Sequence, residues 1–141
     1  MTSETRILWR ATRDGATHLR QHESAAADPE TAEAYQDDPG FGGPCLYRVE
    51  IAAPAHILDL RGERLDIEAA LDAAGIGDED ERDRIQSQGY ASVGVLLAAE
   101  RAVREALAAE YDWIRYTDDF PTGAETWWYL GTEPVPMQAT T

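Results

Sequence analysis

The stretch Thr126–Leu130 reads TWWYL, and it limits the fold more than any other part of the chain. Neighbouring residues of a strand point to opposite faces. The adjacent pair Trp127 and Trp128 therefore places one indole in the core while the other shields the opposite face. An upstream run, Tyr111–Tyr116 (YDWIRY), flanks the same loop, Thr117 to Ala124, and the spacing predicts a long-looped hairpin. A lone glutamate, Glu125, stands at the mouth of the second strand.

The rest of the chain is read outward from that hairpin. Leu46–Ile51 (LYRVEI) alternates cleanly, with Tyr47, Val49 and Ile51 on one face and Leu46, Arg48 and Glu50 on the other, which predicts a strand. Ile7–Trp9 reads as a first strand that delivers Arg10 at its end, before a turn at Arg13-Asp14-Gly15. His56–Leu60 is a further apolar piece, and residues 16–27 are ambiguous. Asp28-Pro29 starts a short helix running to about Tyr35, with Asp28 as cap and Pro29 at the first helical position. Ile67, Leu71 and Ala74 share one helix face, and Gly75 ends that helix. Asp78 and Glu81 make a capping pair for another helix, which Gly89 stops. Ser92–Glu110 is the longest expected helix, with Val93, Leu96, Leu97, Val103 and Leu107 as its stripe and Glu100 paired to Arg104 four residues on. The order of elements predicts an α+β fold, helices beside a largely antiparallel sheet. One domain over residues 1–133 is expected, with 134–141 a flexible tail containing Pro134 and Pro136.

Composition narrows the function classes. The 141 residues carry 27 acids against 12 bases, a formal charge of −15. Such a field repels nucleic acid and anionic membranes, so neither is an expected direct partner. It suits a basic protein partner, or solubility in a high-salt or strongly GC-biased host. All the bases are arginines, and Arg6, Arg10, Arg13 and Arg20 crowd the first twenty residues, the natural place for an anionic ligand. No apolar run approaches the ~20 residues that span a bilayer, and no signal-peptide layout opens the chain. A cytoplasmic protein is expected. Cys45 is the lone cysteine and reads as a small apolar filler. His18 and His22 have i,i+4 spacing but lie in a poor helix candidate, and no metal site is expected. There is no Walker or dinucleotide phosphate loop, no G-x-S-x-G and no H-E-x-x-H.

Three pieces remain that could converge: Arg10 at the end of the first strand, an Ala-rich stretch and helix with Tyr35, and an acid near the last hairpin. In their order they carry a resemblance. ILWRAT at 7–12, SAAADPETAEAY at 24–35 leading into LYRVEI at 46–51, ILDL at 57–60, and YDWIRYTDDFPTGAETWWYL at 111–130 together resemble the ADP-ribosyltransferase superfamily. Bacterial mono-ADP-ribosylating toxins and poly(ADP-ribose) polymerases share that fold, and small phage-encoded members, an anti-CRISPR among them, are similar in size. The resemblance implies a split, largely antiparallel sheet and NAD as substrate. It implies a protein target, in the manner of an anti-CRISPR or small toxin that modifies and inactivates a host or defence-system protein. By the resemblance Arg10, with Ala11 and Thr12, matches the motif that braces NAD. Ser24-Ala25-Ala26 matches the central strand and Tyr35 the aromatic that follows. Glu125 matches the catalytic acid, with Asp119 as its rival earlier in the loop. Two departures stand: the second motif lacks the aromatic that often stacks on nicotinamide, and the loop lacks the E-x-E pair of arginine-modifying toxins. The alternative expectation is a non-enzymatic acidic protein that blocks a basic surface of a partner, one built for nucleic acid.

Overall fold

The computed structural model describes residues 6–36, 43, 45–51, 56–61, 66–117 and 125–140. Among these residues eight strands form one sheet in the order β2-β8-β4-β1-β3-β7-β6-β5. They are β1 (Arg6–Thr12), β2 (His18–Leu19), β3 (Ser24–Ala26), β4 (Cys45–Ile51), β5 (Ile57–Asp59), β6 (Trp113–Thr117), β7 (Glu125–Tyr129) and β8 (Val135–Ala139). Among the described residues only β5 and β6 run parallel; the other pairings are antiparallel. The fold is α+β, as the order of elements predicts.

The sheet has a narrow waist. β1 pairs with β4 along seven residues, from Arg6↔Ile51 to Thr12↔Cys45, yet meets β3 through the single pair Trp9↔Ala26. One face carries Leu8, Leu19, Ala25, Val49, Ile51, Trp113, Trp127 and Tyr129 as a buried cluster drawn wholly from strands. Because strand side chains supply this core on their own, the sheet must curl so that its two halves cover each other. Within it the ring of Trp113 lies 4.7 Å from that of Tyr129, tilted at 46°, and edge-on at 6.2 Å to Trp127. The opposite face, with Ile114, Tyr116, Trp128 and Leu130, packs against helices. Trp127 and Trp128 thus enter two separate cores, as strand alternation requires.

The helices are α1 (Pro29–Gln36), α2 (Asp66–Ala73), α3 (Glu79–Gln86), α4 (Val93–Ala99) and α5 (Arg101–Ala108). Asp28 caps α1, accepting from the amide of Thr31 at 2.8 Å. Gly75, at φ +74, ends α2 as expected, and the amide of Ile76 closes back on the carbonyl of Leu71. Among the described residues no helix is long and apolar enough to cross a membrane.

Three expectations are corrected. The helix expected over 92–110 is two, broken at Glu100, whose backbone is extended (φ −106, ψ 90). The cause lies in its partners. The Glu100 carboxylate takes Arg84 at 2.7 Å and the hydroxyl of Tyr90 instead of Arg104. Arg104 instead donates to the carbonyls of Leu97 and Ala98, at 3.0 and 3.1 Å, which the break leaves without helical donors. The capping pair Asp78–Glu81 does not form: Asp78 sits at the N-cap without a side-chain bond, and Glu81 binds Arg84. The tail expected from Pro134 contains β8, which pairs with both β4 and β2. Val135 and Met137 pack against the strand-lined core. The amide of Met137 points to the β2 side and that of Thr140 to β4, so Pro136 lacks an N–H only on the β4 side, one residue past the last pair Val49↔Met137, where no ladder bond is lost. His18 and His22 do not share a helix, in keeping with the poor helix candidate read there: His18 lies on β2, and His22 occupies a turn at φ +69.

Candidate functional site

Two charged groups stand on the strand-lined face, separated by Leu8 and Trp127. The register of β1, β3 and β7 puts Arg10, Trp127 and Glu125 on that same side. The two groups share no hydrogen bond or ion pair among the described residues.

The first group centres on Glu125, the first residue of β7. Its Oε2 accepts from Nε of Arg115 at 2.7 Å and from the indole N–H of Trp127 at 2.9 Å. Its Oε1 accepts from Nη2 of Arg115 at 2.9 Å and from Nη1 of Arg61 at 3.2 Å. Arg6 stands 3.9 Å away, and Arg61 also grips Asp59 at 2.7 Å. The guanidinium groups of Arg6 and Arg115 lie 5.0 and 5.1 Å from the ring of Trp127. Burial alone would raise the proton affinity of Glu125. The hydrogen bonds from Arg115 and Trp127, with the charges of Arg115 and Arg61, outweigh it and hold the carboxyl below its ordinary 4.5. The result is an ionised carboxylate with both oxygens doubly occupied and its charge opposed by three cations. That is the chemistry of an anchor. It ties β6, β7, β1 and the segment after β5 into one lattice.

The second group lines a polar pocket where β1 ends beside β2 and β8. Arg10, Thr12, Arg13, Ala16, Thr17 and His18 form one side, and Arg20, Glu23 and Met137 complete it. Arg10 donates to the carbonyl of Ser24 at 2.6 Å and stands 3.4 Å from Glu23. Burial lowers the proton affinity of its guanidinium, and the charge of Glu23 partly restores it. Glu23 is itself held, accepting from the amide of Arg20 at 2.7 Å. The hydroxyl of Tyr47 donates to the carbonyl of Arg13 at 3.0 Å. Gly43 lies so close to the Thr12–Arg13 backbone that a Cβ there would meet it at 2.4 Å. The donor set of the pocket suits a phosphate-bearing molecule, and among the described residues no Phe, Tyr or Trp ring lines it.

The residues expected to form a site are thus distributed. Arg10 and Thr12 line the pocket, and Ser24 contributes its carbonyl to Arg10. Ala11 is buried on β1, one residue out of phase with Arg10, and so projects on the other side of the sheet. Tyr35 lies on α1, with its side chain outside the described residues, and Asp119 lies outside them altogether. Among the described residues no group of three or more His, Cys, Asp or Glu is placed to hold a metal ion. The lattice of Arg6, Asp59, Arg61 and Arg115 around Glu125 was missed. Hairpin alternation could have found Arg115, since Arg115↔Trp127 and Thr117↔Glu125 are same-face pairs. Nothing in the sequence points to Arg61, which follows the edge strand.

No protein-family model matches this chain, and no curated protein matches it. A solved structure described as the crystal structure of an anti-CRISPR protein superposes with a TM-score of 0.53 at 20% identity, covering 96% of this chain and 95% of that one. The likeness runs over nearly the whole of both chains, and the two share a fold.

Proposed function

We propose that this chain is an NAD-dependent mono-ADP-ribosyltransferase-like protein that modifies and inactivates a protein target, with Asp119 as the acid that faces the ribose. The observation that carries the reading is strand order. β1, β3 and β7 are consecutive neighbours in the sheet. Arg10, Ser24 and Glu125 therefore lie on adjacent strands, following the sequence order of the three motifs that carry the resemblance. The fold shared with an anti-CRISPR protein supports a defence-system protein as the target.

NAD, as the substrate, supplies an ADP-ribosyl group, and the bond to nicotinamide breaks as positive charge develops on the sugar, as in glycoside hydrolysis. Arg10 suits the phosphates: a guanidinium grips phosphate oxygens in a fork, and burial strengthens that grip. A carboxylate near the ribose opposes the developing charge, an effect typically worth ~2.7–4 kcal/mol for one preorganised group. Glu125 is poorly suited to that task, because three guanidinium groups already offset its charge. Asp119, six residues earlier, takes the catalytic place. The test is nicotinamide release from NAD by wild type, Asp119→Asn and Glu125→Gln. Loss in Asp119→Asn at an unchanged unfolding midpoint, with turnover kept in Glu125→Gln, supports the assignment. Wild-type turnover in Asp119→Asn overturns it.

The neutralised Glu125 also favours a second reading, a non-enzymatic acidic protein that covers a basic surface of its partner. Glu79, Asp80 and Asp83 stand exposed on α3 in a chain of charge −15. Salt-sensitive binding to a basic partner, with no NAD turnover, is the outcome that reading requires.

A further inference from the structure

Acids outnumber bases by more than two to one in this chain, so its arginines should find carboxylates easily. Most do. Arg6, Arg10, Arg61, Arg82, Arg84, Arg101 and Arg115 each have an acidic partner. Arg48 lies 5.9 Å from the ring of Trp9, and Arg104 caps the end of α4. The guanidinium groups of Arg13 and Arg20 differ: among the described residues neither has a carboxylate, a carbonyl or a ring as partner. Both line the pocket that Arg10 also lines, and among the described residues Glu23 is the only acid lining it. Three arginines against one glutamate leave two positive charges unmatched. Glu23 is already engaged with Arg10 and with the Arg20 amide.

The backbone holds these arginines in place. Tyr47 fixes the carbonyl of Arg13, and the close packing of Gly43 fixes the Thr12–Arg13 peptide. The Glu23 bond fixes the amide of Arg20. Thr12, Thr17 and His18 add hydroxyl and imidazole groups to the rim, with His18 Nδ1 2.9 Å from the hydroxyl of Thr17. Exposed cations kept unpaired in an acidic protein, on a fixed backbone and beside the half-buried Arg10, make a receptor for a compact polyanion.

We infer that Arg13 and Arg20, together with Arg10, form a binding site for the diphosphate of a nucleotide, and that the polar pocket recognises phosphate while leaving base and nicotinamide rings outside. The anion site stands on this geometry alone; it rests on the transferase reading only for the identity of NAD as the nucleotide.

The experiment is calorimetric titration of the full chain with pyrophosphate, ADP and adenosine at two salt concentrations. Pyrophosphate and ADP are expected to bind saturably and more weakly as salt rises, and adenosine not to bind. Pyrophosphate binding without ADP binding would assign the site to the free anion and overturn the nucleotide part. Arg13→Gln with Arg20→Gln should lower affinity for both ligands by roughly tenfold or more. Arg101→Gln, on the exposed face of α5, should change nothing. Absence of saturable pyrophosphate binding, or wild-type affinity in the double variant, overturns the proposal. Pyrophosphate binding without nicotinamide release keeps this site and removes the transferase reading. Nicotinamide release with an unchanged KM for NAD in the double variant keeps that reading and removes this one.

Discussion

Replacing Glu125 with glutamine keeps the side-chain shape and removes the charge. In the folded protein the carboxylate accepts two bonds from Arg115, one from Trp127 and one from Arg61. The side chains of Arg115 and Glu125 are 17% and 23% exposed, so the pair is neither a surface bridge nor fully dry. Exposed pairs are worth ~0–1 kcal/mol, whereas breaking a buried one costs ~3–5 kcal/mol. An intermediate cost of about 2 kcal/mol is expected, because the amide retains one acceptor while Arg6, Arg61 and Arg115 lose their shared counter-charge. For a chain of this length that is a fall in midpoint of roughly 8 °C, at ~4 °C per kcal/mol. The pH dependence has a definite sign. Since the folded protein holds the Glu125 carboxyl below its ordinary 4.5, the stabilisation is fully present above that value and is lost as pH falls through the lower folded one. The gap between wild type and Glu125→Gln should therefore be widest near neutrality and close in strong acid. Urea unfolding at several pH values measures it. A double-mutant cycle with Arg115→Gln should show coupling of about 1–2 kcal/mol. A variant as stable as wild type at pH 7 would refute the view of Glu125 as an anchor and return it to candidacy as the catalytic acid.

Three further outcomes follow from the fold. The amides of Met137 and Thr140 donate to the carbonyls of Thr17 and Leu46, so hydrogen exchange should find them protected; exchange at random-coil rates would restore the frayed tail expected from sequence. Gly43→Ala places a Cβ 2.4 Å from the Thr12 backbone and should cost ~1–3 kcal/mol, measured by urea unfolding, with weaker pyrophosphate binding. Glu100→Ala removes the acceptor shared by Arg84 and Tyr90, and should lower stability by about 1–3 kcal/mol in the same assay.

Much of the fold was legible because alternation and helix periodicity are local signals. Leu46–Ile51 reads as a strand and is one, and the two tryptophans of β7 do enter two cores. The misses are non-local. The break at Glu100 depends on Arg84, sixteen residues away, and on Tyr90, which draw its carboxylate off the helix axis. β8 contains a proline and reads as tail, yet β4 lies beside it with an open edge to pair. Residues 16–27 yield two strands of only two and three residues, too short to show a period. At the site, the excess of arginine near the start of the chain was visible, but its division was not. Arg6 points into the Glu125 lattice while Arg10, Arg13 and Arg20 line the pocket, a split decided by strand register and by the turn after β1. Glu125 was visible as a carboxylate at a strand mouth, and its partners were hidden by their distance in sequence.

The most direct test of the account is transfer itself. Wild type and Asp119→Asn are incubated with NAD labelled in the adenylate half and a lysate containing candidate defence proteins, and label covalently attached to protein is counted after denaturation. Label on a discrete protein with wild type, absent with an Asp119→Asn variant of equal stability, is the expected result. No attached label and no nicotinamide release with wild type would contradict the account.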